Sequence, residues 1–160
     1  MKPIFLIVLG LLMASAAHSQ PPQQITVLVE FFETEPESNR RCGITYSAQQ
    51  ESTTRVLRAH GYEVDMRYDA VLTAYVKTDA IANPQFCSVR SQFRLYYRAP
   101  VKAPWGTTYH SQVVICEKSN VANGPYSIIS AKVRDMVSSL TELCMKEEEQ
   151  KRRLSVLLYQ

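Results

Sequence analysis

Apolar residues alternate with polar ones in three parts of the chain and recur every third or fourth position in two others. Ile25, Val27, Val29 and Phe31 share one face at period two, which predicts a strand over Ile25–Phe32. Leu28 and Phe32 make its second face partly apolar, so the strand is expected inside a sheet. Asp69–Val76, reading DAVLTAYV, predicts a second long strand that continues toward Ile81. Between Cys87 and Cys116, two runs rich in Val, Phe, Tyr, Thr and Ile flank an eight-residue break at 99–106, APVKAPWG. That is the pattern of a hairpin. Ser47–His60 is the first expected helix: Ser47 and Gln50 have capping-box spacing, and Gly61 stands where a left-handed residue ends a helix. Ile129, Val133, Met136, Val137, Leu140, Leu143 and Cys144 form a stripe that predicts a long helix from about Tyr126 to at least Lys146. Pro125 suits its first turn. Tyr62–Val64 reads as extended. The acidic stretch Glu33–Arg41 and the polar stretch Glu117–Gly124 read as loops.

The order is strand, helix, strands, hairpin, long helix. It predicts an α+β domain in which a single layer of mostly antiparallel sheet is packed by two helices. Residues 20–146 make up the domain, and 147–160 form a charged helical extension with an apolar tail. The run VLRAHGYEV, then YDAVLTAYV, then two long strands, resembles the small exported domains of the TolB N-terminal and curli-channel type. Leu57, Gly61, Asp69 and Leu72 carry the local likeness. The chain departs from that type in lacking a lipid-anchor Cys. The resemblance implies a binding or assembly role in the cell envelope and supplies no functional residues.

Residues 1–19 read as a signal peptide: Lys2, an apolar run from Ile4 to Met13, then Ala17 and Ser19 placed around a cleavage site. The run is shorter than the ~20 residues a membrane-spanning helix needs, so no transmembrane segment is expected after cleavage. The processed chain would hold 160 − 19 = 141 residues, with 18 − 1 = 17 basic against 15 acidic side chains. Near-neutrality argues against a nucleic-acid partner and against a polybasic membrane patch. Export is therefore expected, to the periplasm if the source is bacterial and otherwise by secretion. In an oxidising compartment the four Cys read as two disulfides. Folding the hairpin between Val101 and Lys102 sets Cys87 opposite Cys116, which leaves Cys42 to pair with Cys144. No close C-x-x-C pair supports a metal site, and no cofactor is implied.

Catalytic residues are not apparent. His60 is expected at a helix end, and His110 is adjacent to Ser111 on a strand, where neighbours point to opposite faces. No G-x-S-x-G, H-E-x-x-H or phosphate-cradling loop occurs. The chain is expected to be a binding protein rather than an enzyme. Two features could bind. Arg90, Arg94 and Arg98 alternate on one strand with Tyr96 among them, a stripe suited to carboxylate or phosphate. Trp105, the sole Trp, lies in the hairpin loop, and Trp is enriched at interface hot spots. The expected partner is a protein or anionic polymer of the envelope. The alternative is a secreted inhibitor that presents the 99–106 loop to a hydrolase.

Overall fold

The computed structural model describes residues 25–65, 70 and 72–158. The expected signal peptide, Asp69 and the last two residues of the tail lie outside the described residues. Among these the chain runs β1 (Thr26–Glu33), α1 (Pro36–Arg41), α2 (Tyr46–Ala59), β2 (Glu63–Asp65), β3 (Leu72–Ala82), β4 (Cys87–Lys102), β5 (Thr108–Gly124) and α3 (Tyr126–Leu158). The strands form one open sheet in the order β2-β1-β3-β4-β5. β1 is parallel to both its neighbours, while β3–β4 and β4–β5 are antiparallel. The class is α+β, and β1 is interior as its two apolar faces require.

The helices pack on one face. α3 lies on β4 and β5, α1 on β3, and α2 on β1 and α3. Val27, Val29, Ala74, Val76, Val89, Phe93 and Leu95 meet Leu57, Ile129, Val133, Val137 and Leu140 in a single core. The α3 stripe therefore reads correctly from its periodicity, except that Leu143 faces outward. α2 begins one residue before the expected start. Thr45, not Ser47, caps it, its hydroxyl accepting from the Ala48 N–H at 3.4 Å. Its end follows the expectation. Gly61 has φ +81°, and the Gly61 and Tyr62 N–H groups donate to Arg58 and Leu57 carbonyls at 3.0 and 3.1 Å.

The stretch Glu33–Arg41 is not wholly a loop, because its second part is α1. Six residues are too few to show a helical period. Tertiary contact holds the helix instead: buried Asn39 donates from Nδ2 to the Thr78 carbonyl of β3 at 3.1 Å.

The hairpin turns later than expected. Ala103 N–H donates to the Thr107 carbonyl at 2.8 Å and Gly106 N–H to the Ala103 carbonyl at 2.9 Å. The loop is thus Pro104-Trp105-Gly106, closed by a left-handed glycine at φ +93°. Ala99–Lys102 belongs to β4. Pro100 is tolerated there because, among the described residues, β4 has a neighbour on one side alone beyond Tyr96. Glu117–Gly124, expected as a loop, pairs with Cys87–Arg94. One extra residue, Ile115, makes a bulge where Leu95 faces Cys116 and Tyr96 faces Val114.

This register overturns the expected disulfides. Cys87 lies opposite Gly124, and Cys116 lies opposite Leu95, roughly 26 Å along the strand at ~3.3 Å per residue. The bonds are Cys42–Cys87 and Cys116–Cys144. Both strand cysteines point to the helical face. Each meets a cysteine from the layer above, so the bonds join helical segments to the sheet rather than strand to strand.

Candidate partner-binding surface

Arg90, Arg94, Tyr96 and Arg98 share the face of β4 that, among the described residues, carries no helix, as alternation from the buried Val89, Phe93 and Leu95 dictates. On that face the stripe is broken up. Arg94 Nε donates to Glu117 Oε2 at 2.8 Å, and Gln92 donates to the other oxygen. The Arg94 guanidinium holds the Glu117 carboxyl below its usual range, with Gln92 adding to the effect. Tyr96 is buried, and its hydroxyl donates to Glu30 at 3.1 Å. Burial, then the Glu30 carboxylate, pushes the phenol up. On the adjoining strand Lys77 pairs with Asp79 at 3.1 Å. Burial opposes the charged form of Asp79, but bonds from Thr34 and Lys77 outweigh it and keep the carboxyl low. Of the expected contact residues on this face, Arg90 and Arg98 stand exposed, Arg94 is half neutralised and Tyr96 braces the sheet.

Trp105 lies elsewhere. It is 78% exposed at the hairpin tip. Arg90 sits near the opposite end of β4, roughly 40 Å away along the strand at ~3.3 Å per residue. The two expected features therefore lie on separate surfaces, at opposite ends of β4. Beyond Tyr96, β4 and β5 continue as a two-stranded ribbon whose two faces are mostly exposed. One face carries Tyr97, Val101, Tyr109 and Val113. The other carries Arg98, Pro100, Lys102 and His110. The apolar set was present in the alternation. Its exposure was not, because nothing in the run marks where β3 stops.

A second cluster escaped the sequence reading. His60 caps the C-terminus of α2 with its Nδ1 at 2.7 Å from Glu149 Oε1 and its Nε2 at 2.9 Å from Glu142 Oε2, both on α3. Only an imidazolium can donate from both nitrogens. Burial works against that form, but the bonds to Glu149 and Glu142 outweigh it and raise the imidazole above its ordinary range. His60 in turn holds both carboxyls low. Close by, Tyr62 donates to Glu148 at 2.5 Å. Hydrogen bonds from Lys118 and Lys151 push Glu147 down to about 2. Sequence distances of 82 and 89 residues hide the cluster from any local pattern.

A groove of about 620 Å³ runs along α2 past Ser47, Glu51, Arg55 and Arg58. Among the described residues neither His nor Cys lines it. Among the described residues no three His, Cys, Asp or Glu side chains converge in a way that could hold a metal ion.

No family model matches the chain. No curated protein matches it either. Solved structures do. A PelC dodecamer from Paraburkholderia phytofirmans is 11% identical, with 76% of this chain and 86% of that one covered and a TM-score of 0.43. The rare lipoprotein B from Shewanella oneidensis is 9% identical over 82% and 98%, at a TM-score of 0.31. A Xanthomonas campestris protein matching the DUF330 family model is 7% identical over 81% and 88%, at a TM-score of 0.51, which shows a similarity of fold.

Proposed function

We propose that this chain is an exported, non-catalytic binding or assembly protein of the cell envelope that holds its partner at the β4–β5 ribbon. The observation that carries the reading is the 78% exposure of Trp105 on a turn already ordered before binding. Pro104 fixes one backbone angle, Gly106 supplies the left-handed one, and two backbone bonds close the loop. A pre-ordered loop loses little entropy on association. A Trp ring brings ~150–250 Å² of contact area. The two disulfides suit an oxidising compartment. The expected signal peptide and the resemblance read from the sequence, to small exported domains, favour the envelope.

A photo-cross-linking residue placed at position 105 and, separately, at position 90 tests this in cells. Cross-links from 105 and none from 90 are expected. The reverse pattern would move the site to the helix-free face, and silence at both would end the reading. The projection of Trp105 equally suits the inhibitor alternative, in which the loop enters a hydrolase cleft. In that case the purified chain would lower hydrolase activity in an extract and Trp105→Ala would restore it.

A further inference from the structure

The near-zero net charge of the chain averages over a polarised surface. Residues 96–114 and 150–158 contain no Asp or Glu, yet they hold Arg98, Lys102, Lys151, Arg152 and Arg153. The two segments point to the same end of the molecule. α3 runs antiparallel to β5: Lys132 Nζ reaches the Asn123 carbonyl at 3.2 Å, Cys144 bonds Cys116, and Lys151 Nζ reaches the Ile115 carbonyl at 2.7 Å. The last turns of α3 therefore continue toward the ribbon. Lys151 and Arg152 share their charge with Glu147 and Glu148 one turn back, at 2.8 and 3.9 Å. Arg98, Lys102 and Arg153 are exposed and, among the described residues, form no salt bridge, though Arg98 bonds the Tyr96 hydroxyl and Arg153 lies in the field of Glu149. Exposed apolar side chains stand at the same end: Trp105 at the tip (78%), Leu154 on α3 (52%), and, on the ribbon face opposite Arg98 and Lys102, Tyr109 (50%) and Tyr97 (38%).

We propose that this end of the molecule seats on an anionic lipid surface, with Trp105 and the tyrosines in the headgroup layer and the cations against lipid phosphates. The inference rests on the reading that the ribbon is the binding element, and it names what the ribbon binds. Tyr and Trp rings, apolar in body and polar at one edge, favour the membrane–water boundary. Basic side chains beside them add attraction to anionic headgroups. A soluble polyanion would satisfy the cations and leave Trp105 and Leu154 in water. A second copy of the ribbon would bring like charges together. Among the described residues no helix is long and apolar enough to cross a membrane, so the contact lies on the surface.

The test uses the chain without residues 1–19, whose apolar run would itself enter lipid; every described element lies within 25–158. The chain is sedimented with vesicles of phosphatidylcholine alone and of phosphatidylcholine with phosphatidylglycerol, and its single Trp is read by fluorescence. Retention on the anionic vesicles, a blue shift of the emission and loss of both in high salt are expected. Arg98→Ser with Lys102→Ser and Arg153→Ser should weaken retention by roughly 100-fold, at about fivefold per cation. Trp105→Ala should weaken it without altering the melting temperature. Phe86→Ser, an exposed apolar change at the far end of the sheet, should leave it intact. No retention, or equal retention on neutral vesicles, overturns the proposal. So does equal binding to soluble heparin with the Trp emission unmoved. If vesicles fail while position 105 still cross-links a protein in cells, the ribbon reading stands and the lipid surface falls.

Discussion

Removing the Cys42–Cys87 bond by the double change Cys42→Ala and Cys87→Ala should destabilise the protein by a calculable amount. The bond closes a loop with a sequence separation of 45, and Cys116–Cys144 one of 28. Chain-entropy loss in the unfolded state gives about 4 kcal/mol for the first and about 3.6 kcal/mol for the second at 25 °C. The loops do not overlap, so the two contributions add to about 7–8 kcal/mol. That approaches the whole stability of a typical domain, ~5–15 kcal/mol. One bond lost should leave a folded protein, and both lost should leave one unfolded at ambient temperature. At ~2.1 cal/mol/K per residue over the 141 residues of the chain without residues 1–19, 4 kcal/mol corresponds to a fall in melting temperature of about 13 °C. Calorimetry of the oxidised variant measures it. Tryptic digestion without reductant checks the pairing, because the four Cys fall on separate peptides, 42–55, 78–90, 103–118 and 135–146. Linked 42–55 with 78–90 and linked 103–118 with 135–146 are expected. A 78–90 peptide linked to 103–118 would refute the register on which the reasoning rests. A fall of only a degree or two would refute the entropic magnitude.

Other outcomes can be checked on the same material. His60 is raised above its ordinary 6.5 by Glu142 and Glu149, so its contribution is fully present below pH 6.5 and is lost as pH rises through the folded value. Denaturant melts at stepped pH should therefore show wild type and His60→Gln differing most on the acid side and converging above. Divergence that grows with pH would mean the ring is held neutral. Gly106→Ala forces a side chain to φ +93° and should cost about 1–2 kcal/mol, read by urea unfolding, with ribbon binding weakened. Phe93→Ala empties a fully buried site and should cost about 3–5 kcal/mol in the same assay. Arg94→Ser breaks a part-exposed pair with Glu117 and should cost no more than about 1 kcal/mol. A larger loss would show the helix-free face to be structural.

The sequence by itself determined the elements whose signal is local. The alternation over Ile25–Phe32, the stripe from Ile129 to Cys144 and the left-handed stop at Gly61 each record a contact with a neighbour one turn or one pleat away. The α+β class follows from their order. Tertiary structure decided what depends on distant partners. The hairpin reversal moved from Val101–Lys102 to Trp105 because strands β4 and β5 pair over their whole length. Polar Glu117–Gly124 extends as a strand when Cys87–Arg94 lies alongside to take its hydrogen bonds. That shift separated Cys87 from Cys116 and turned both toward the layer above, where Cys42 and Cys144 wait. α1 exists because Asn39 finds the Thr78 carbonyl, and the His60 clamp exists because α3 crosses the end of α2. Alternation on β4 placed Arg90, Arg94 and Arg98 on one face correctly. Which of them keeps a free charge was settled by Glu117, a carboxylate on the neighbouring strand that no spacing along the chain could reveal.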